Sequence, residues 1–509
     1  MTSRRPRRPG LENRGRTGGQ RPMLSSPTKE RTWSNPARTD QGPPQIRKNE
    51  GKTMEQKTIR DSAFNRWGVL VLVSCVMFMN YYFYDALSPL KDLMQSELGF
   101  TSADYGFFTS AYSIPNVFLL MAVIGGIICD RIGIRITGFV FCLLMVVGAA
   151  VTAYGASPTF LGGGFGFEFM TSFLPRFSPA LKMTSLGFFI FGLGAETSVV
   201  VISKIIVKWF KGYQLALALG LNLAFGRLGA ALALILSPRL LQPHWTTAIW
   251  FGVMLLIIGL LGFVFYMFLD SRLDRQLEEE KSGDEEEELS WADLKFLVTD
   301  RTFLLITALC VTFYSAVFPF IKYAPDLLMN KFGMARQTAG DVTSILMFGT
   351  IVLTPLFGWI ADNKGKSATL MYLGSGLLFV SHLMFALTTI TPYIPIFLLG
   401  VAFSLVPAAM WPAVTKIVGE NKIGTAYGFM FSVQNLGLWA FPMLIGWVLE
   451  ASNPGVADAI IAGGEGTYDY TNPMLMLAAL GVAGFVFAFL LKREDLKSGY
   501  GLELPNNIA

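Results

Sequence analysis

Charge is scarce in this chain: Asp, Glu, Lys and Arg make up 15% of its 509 residues against 52% hydrophobic, and the mean hydropathy is +0.47. A soluble protein carries about 25% charged residues, so an ordinary soluble enzyme is excluded. Histidine is scarcer still, with only His244 and His382, which rules out a histidine-rich metal centre. The four cysteines, Cys75, Cys129, Cys142 and Cys310, show no CxxC spacing and lie in or beside apolar runs, so neither a disulfide framework nor a zinc site is indicated. HExxH and GxSxG are also missing, and with them the usual signatures of hydrolytic chemistry. The glycine run GGGFGF at 162–167 neither follows a strand nor opens a helix, so it reads as a flexible external loop rather than a phosphate cradle, and no cofactor is expected.

What is present is apolar sequence in long stretches. Runs able to cross a bilayer stand at about 67–90, 104–128, 134–155, 183–209, 213–237, 245–269, 302–324, 338–361, 367–388, 392–416, 424–449 and 472–491, each close to the roughly 20 residues a membrane helix needs. Between the sixth and seventh lies the only long charged segment of the body, with acidic runs at 278–280 and 284–288. Its spacing lacks the pattern of a calcium loop, so it reads as a solvated linker. The expected fold is an all-α polytopic membrane protein of twelve transmembrane helices in two six-helix halves, 67–269 and 302–491. A basic tail (1–66), an acidic linker (270–301) and a C-terminal tail (492–509) complete the chain.

The net charge of +5 conceals an asymmetry. Residues 1–66 hold 16 Lys/Arg and 6 Asp/Glu, a balance of +10, so the remaining 443 residues sum to −5. The tail is rich in Arg, Pro, Gly and Ser and has no apolar core. It is neither a secretory signal nor an amphipathic leader, and it reads as a disordered, solvated segment with no nucleic-acid partner. Met54 opens a stretch that resembles the short polar lead of a polytopic protein. Basic residues of the short loops cluster on one side, at Arg131, Arg135, Lys208, Lys211, Lys364, Lys366, Lys416 and Lys422, then Lys492, Arg493 and Lys497. The positive-inside rule places these, and both termini, in the cytoplasm.

A repeat is the strongest pattern in the sequence. After the second span stands Gly126-Ile-Ile-Cys-Asp130-Arg131-Ile-Gly133-Ile-Arg135, and after the eighth Gly358-Trp-Ile-Ala-Asp362-Asn-Lys364-Gly365-Lys366, 232 residues apart at the same place in each half. Gly126 and Gly358 suit close helix packing, Asp130 and Asp362 suit pairing with bases or a helix N-terminus, and the following glycines permit a tight turn. These loops are expected to act as gates, with Arg131, Arg135, Lys364 and Lys366 as their basic partners.

This motif resembles motif A of the major facilitator superfamily, a likeness that spans about residues 65–495. YYFYD (81–85), AYSIPN (111–116), GLGAET (192–197), AVFPFI (316–321), AMWP (409–412), GTAYGF (424–429) and QNLG (434–437) are similar to the lysosomal dipeptide transporter branch. That branch, as the resemblance implies, is a dipeptide uniporter with a glycosylated accessory subunit in animals. The basic tail, the longer 156–182 loop and the lack of any N-x-Ser/Thr sequon depart from the animal pattern. They point to a bacterial relative and put the accessory subunit in doubt. Its membrane would be the plasma membrane in a bacterium and the lysosomal membrane in a eukaryote.

Charges inside spans are default functional candidates because each costs at least about 2.5 to 3.5 kcal/mol to insert. Glu196 lies near the middle of span four and Arg227 near the middle of span five. They either pair with one another or hold a zwitterion, Arg227 taking a carboxylate through parallel donors and Glu196 an ammonium. The resemblance puts Glu196 and Arg227 where the dipeptide branch carries its amino- and carboxyl-binding charges. Asp85 and Tyr84 in span one, and Trp411, Tyr427, Gln434 and Asn435 in the second half, are further candidates for lining the site, with gating or pairing with an external base as the alternative for Asp85. His382 reads as an interior histidine, with a proton relay as the alternative. Pro115, Pro319, Pro355, Pro407 and Pro412 are expected to interrupt helices. The leading expectation is a transporter of dipeptides, uniport or proton-coupled, working by alternating access within a lipid bilayer. The alternative is transport of a small organic anion anchored by Arg227.

Overall fold

A computed structural model of the protein describes residues 58–277, 296–418 and 423–505. The expectations for the tail up to residue 57 and for the acidic runs at 278–288 lie outside the described residues. The described residues are helical, without strands. Eleven helices are long and apolar enough to cross a membrane, and a bent pair supplies the twelfth.

The spans are α1 (Ala63–Leu98), α2 (Ser102–Phe118 and Met121–Ile132), α3 (Ile134–Gly155), α4 (Pro179–Phe210), α5 (Leu215–Arg239) and α6 (Thr247–Gln276), then α7 (Arg301–Phe332), α8 (Arg336–Lys364), α9 (Ser367–Leu387), α10 (Tyr393–Val418), α11 (Ile423–Ser452) and α12 (Thr471–Ser498). Most outrun their apolar windows because polar first and last turns still complete backbone hydrogen bonds. The first span begins four residues before the expected boundary: Arg66 lies inside it, 3.6 Å over the Tyr213 ring, so residues 63–66 do not belong to a tail. Just ahead of it the Tyr213 phenol donates to Asp61 at 2.6 Å and holds that carboxyl below its ordinary range.

Within the first half α3 packs along α4, and α1 along α5 and α6; within the second, α9 packs along α12 and α10, and α8 along α10. The halves meet where α2 lies against α11 and α5 against α8. Glycine permits both contacts. A Cβ at Gly446 would stand 2.2 Å from the Ser102 carbonyl oxygen, and one at Gly340 would stand 2.2 Å from that of Leu234. Any larger residue there would hold the halves apart.

Three local expectations change. Span two is not one rod: its limbs meet at 57° across Leu119 and Leu120, the latter at φ +51°, and Asn116 Oδ1 bridges the break by accepting the Ala122 amide at 3.0 Å. Pro115 stands beside that break, whereas Pro319, Pro355, Pro407 and Pro412 lie inside continuous helices. Neighbouring helices compensate the lost hydrogen bond there. The 156–182 loop carries two short helices, Pro158–Leu161 and Phe167–Ser172, joined through the glycine run and sealed by buried Phe160, Met170 and Met183. The glycines therefore turn a packed cap.

After α12 the chain folds back over the second repeated loop. Leu502 is fully buried, its carbonyl accepts the Ser367 amide and that of Glu503 accepts the Lys366 amide, both at 3.0 Å. The Glu503 carboxylate accepts the Thr369 amide at 2.8 Å. These are amides of the first turn of α9, so the strap caps a helix N-terminus and its carboxylate complements the dipole. Leu502→Ala is expected to weaken this docking by about 2 to 5 kcal/mol. Hydrogen exchange would read the loss as faster exchange at Lys366, Ser367 and Thr369, with the rest of α9 unchanged.

Candidate functional site

Glu196 and Arg227 sit close to the midpoints of α4 and α5, and both are half-buried. No ion pair joins them among the described residues. Around the Glu196 carboxyl stand Tyr112 and Asn116 from α2, and Asn116 Nδ2 has no completed hydrogen bond. Arg227 rests on the opposite half: its guanidinium lies 4.5 Å from the centre of the Phe403 ring and 5.7 Å from that of Phe318. Its Nη1 is buried and has no hydrogen-bond partner. Tyr81 of α1 lies within the electrostatic reach of both charges, and a Cβ on Gly226 would come 3.2 Å from its ring. An acid flanked by Tyr112 and the unfilled Asn116 Nδ2, and a base with an unfilled N–H, thus stand at half-height in an apolar bundle, both within electrostatic reach of Tyr81. Leaving such groups unsatisfied costs about 1 to 3 kcal/mol each, a cost that a ligand with both charges removes.

Asp85 is engaged by a base from the other half. It is buried and bonds Lys322 Nζ of α7 at 2.7 Å, and that ammonium also lies 3.3 Å from the centre of the Tyr84 ring. Of the two roles open to Asp85, lining the site or pairing with a base, the structure shows the pairing: a buried carboxylate takes the nearest buried base. Tyr84 faces both ways, since its ring also meets Tyr112 at 4.5 Å. In the second half Trp411 Nε1 donates to the Tyr314 hydroxyl at 3.0 Å, and Tyr427 donates to the Trp411 carbonyl at 2.9 Å. Gln434 accepts from the Cys310 thiol at 3.4 Å; Asn435 donates to the Phe431 carbonyl at 3.0 Å while its Oδ1 is buried without a donor. His382 is buried, with Nδ1 2.9 Å from the Leu378 carbonyl and its ring edge-on to Phe320.

At the end of the bundle away from the repeated loops, charges lock the halves together. Lys91 of α1 bonds Asp326 of α7 at 2.8 Å with both side chains buried, and Tyr470 donates to the same carboxylate. Gln95 accepts from Lys91 at 3.0 Å and donates to the Tyr468 hydroxyl at 2.9 Å. Arg336 pairs with Asp92, and Arg239 grips Asp341 through two bonds of 2.8 and 2.7 Å. Lys322 and Asp326 are four residues apart on one helix face. The acid-base order reverses between the two buried pairs, so a slip of register would bring like charges together. Lys322 was legible as a charge inside span seven. Lys91 and Asp326 were hidden because the apolar windows end just before them.

The repeated loops are bonded within their own halves. Asp130 pairs with Lys204 of α4. Arg135 stands 3.8 Å from Asp270 and 3.1 Å from Asp274 of α6, which Lys208 also bonds at 2.8 and 2.6 Å. In the second copy the Lys366 amide is taken by the strap, Arg131 of the first copy and Lys364 of the second are exposed, and Asp362 is half-buried. The turn glycines Gly133 and Gly365 have φ of +91° and +69°, as the repeat suggested. Gly126 and Gly358 are not at close contacts: nothing stands nearer than 4.0 Å to a Cβ at either, and the close approach falls at Gly125, 2.6 Å from the Thr197 hydroxyl. One residue is about 100° of helix rotation, so Gly125 faces α4 and Gly126 turns aside. Elsewhere, an apolar cavity of about 720 Å³ between α8, α9, α10 and α12 is lined by Tyr372, Phe379, Leu405 and Phe485 and contains none of the candidate charges.

A family model described as Major Facilitator Superfamily matches residues 70–442 and 320–502. The lysosomal dipeptide transporter MFSD1 of Mus musculus is 32% identical over 399 residues, 76% of this chain and 81% of that protein. The hexuronate transporter of Bacillus subtilis is 22% identical over 431 residues, 80% and 92% of the two chains. Among solved structures, a bacterial homolog of the human lysosomal transporter Spinster, in an inward-facing and unoccupied conformation, superposes with a TM-score of 0.62 at 14% identity, covering 86% of this chain and 98% of its own. Twelve spans in two halves, a loop motif repeated between them, a polar centre at half-height and these likenesses lead to one conclusion: the chain belongs to the Major Facilitator Superfamily of multi-pass membrane transporters.

Proposed function

We propose that this transporter carries dipeptides, gripping the zwitterionic backbone between Glu196 and Arg227. The observation that carries the reading is that these two midspan charges, both within electrostatic reach of Tyr81, form no ion pair with one another among the described residues, the arginine with a buried, unfilled N–H. A dipeptide supplies an ammonium for Glu196 and a carboxylate for the two parallel donors of Arg227. Recognition through the termini tolerates many side chains, and Trp411, Tyr427, Gln434 and Asn435 then serve the side chains and the peptide carbonyl. The similarity to a protein named as a dipeptide transporter supports this choice. Uptake of labelled Ala-Ala into proteoliposomes, with and without a pH gradient, tests it. Saturable uptake is expected, and the gradient separates uniport from proton coupling; no uptake of any dipeptide would reject it.

A second reading, transport of a small organic anion on Arg227, draws on the likeness to a hexuronate transporter. Competition by hexuronates but not by Ala-Ala would favour it.

In either case the clustering of basic residues in the repeat-end loops supports a cytoplasmic location for that end and for both termini. The far end, locked by buried ion pairs, is then the outer gate, and the site opens inward. Asp130→Ala removes an exposed pair with Lys204, worth about 0.2 to 1 kcal/mol, so stability is expected to change little. Turnover should fall severalfold with substrate affinity unchanged, because the loop acts as the halves close and lies far from midspan. Binding and flux measured on the same purified protein decide this: lost affinity at unchanged turnover would place the loop in the site.

A further inference from the structure

We propose that Phe403, with Phe318 beside it, positions the Arg227 guanidinium for the substrate carboxylate, so that the anchor belongs to one half and its platform to the other. The proposal deepens the dipeptide reading and rests on Arg227 as the carboxylate anchor. Arg227 comes from α5, while Phe318 and Phe403 come from α7 and α10 of the other half.

The platform is built to hold still. Phe403 is buried, and Phe318 meets it edge-on at 5.5 Å. Phe318 in turn stacks on Tyr314 at 5.6 Å, whose hydroxyl takes the Trp411 indole N–H. A guanidinium is flat: its face lies on the negative face of an aromatic ring, and its N–H groups point outward in its own plane. The two Phe rings use the face and leave the edge, where Nη1 is buried without a partner. A carboxylate can therefore take that edge while the ring contact persists, and both interactions attract the same charge. Without the platform the long arginine side chain would have to be ordered at the moment of binding, which costs affinity. The platform stands on the opposite half, so the contact is re-made or broken as the halves rock, which ties a tightly gripped carboxylate to one conformation.

The test compares Ala-Ala with its C-terminal amide in binding and flux assays on the full chain. Wild type, Phe403→Leu, Phe403→Tyr, Phe318→Leu and Arg227→Gln are measured in parallel. Leucine keeps the apolar packing and removes the ring. Phe403→Leu is expected to cut the preference for acid over amide by about fivefold to thirtyfold, the range of a desolvated cation–π contact. Phe403→Tyr should restore most of it, and Phe318→Leu should give a smaller loss in the same direction. Equal weakening of acid and amide by both leucine variants would reduce the rings to packing and overturn the proposal, as would an unchanged preference. If Phe403→Leu fails to fold, Phe318→Leu decides alone by the same criterion. A wild type that ignores the cap, with Arg227→Gln equally indifferent, overturns the anchor and this proposal together. Dependence on Arg227 with indifference to both rings overturns the proposal and leaves the anchor standing.

Discussion

The double variant Glu196→Gln, Arg227→Gln is expected to fold, insert and bind free dipeptides poorly. Were the two residues present only to neutralise one another, removing both charges would restore what either single change loses. Among the described residues they form no ion pair in this conformation, however, and Arg227 Nη1 and the Asn116 Nδ2 beside Glu196 are buried without completed hydrogen bonds. Each terminus of the peptide then loses a charge-assisted partner worth about 1.5 to 3 kcal/mol, roughly ten- to hundredfold in affinity. The exchanged pair, Glu196→Arg with Arg227→Glu, should not recover function either. The Phe403 and Phe318 rings that favour a cation would face a carboxylate. Capped substrates assign the ends: N-acetylation should abolish dependence on Glu196 and C-amidation dependence on Arg227, with side-chain changes mattering less than either. Full flux in the neutral double variant, or indifference to both caps, would reject the clamp while leaving the family assignment intact.

Breaking the buried pair at the far end should have an effect of similar size on conformation rather than on affinity. Lys91→Met leaves Asp326 buried with only the Tyr470 hydroxyl to satisfy it. An uncompensated buried charge of this kind costs about 3 to 5 kcal/mol, and it is felt only while the two halves are closed at this end. The ratio of open to closed at that end should rise by about two to four orders of magnitude. Lys91→Met combined with Asp326→Asn removes both charges and should return most of the closed population, since a neutral pair carries no buried charge. Spin-label distances across the far end of α1 and α7, with thermal unfolding as a control for stability, provide the measurement. A single variant whose distances match wild type would show that the pair does not hold the gate. The neighbouring Asp85–Lys322 pair should behave alike, and the two pairs should be non-additive because they share one helix face and one closing motion.

Much of the architecture could be read without coordinates. Twelve apolar stretches, the acidic break after the sixth and the loop motif repeated 232 residues on are local features, and a bilayer reads local features: a segment inserts according to its own apolarity and length. Glu196 and Arg227 were legible for the same reason, as charges in windows that tolerate few. Less local properties were misjudged. The break in α2 depends on Leu120 adopting a left-handed conformation that Asn116 then bridges, and an apolar run carries no mark of it. Gly126 looked like a packing position until helix phase placed Gly125 against Thr197 instead.

Asp85 shows where the boundary lies. Its sequence context, behind Tyr81, Tyr82 and Tyr84, suits a cavity wall, yet its partner Lys322 stands 237 positions away in the other half. Lys91 and Asp326, 235 apart, appeared to be loop charges because each lies beyond the edge of an apolar window. Their burial together is a fact about two helices brought side by side. The cost of burying either charge is repaid only by the other, so neither position announces itself alone. The sequence by itself determined the number of spans, the repeated loop motif and the two midspan charges, since each follows from local apolarity, charge and spacing. Only the tertiary structure decided which charges neutralise each other, which stand without a charged partner, and that Arg227 rests on rings from the opposite half. Pairing of buried groups is set by the packing of segments far apart in the chain.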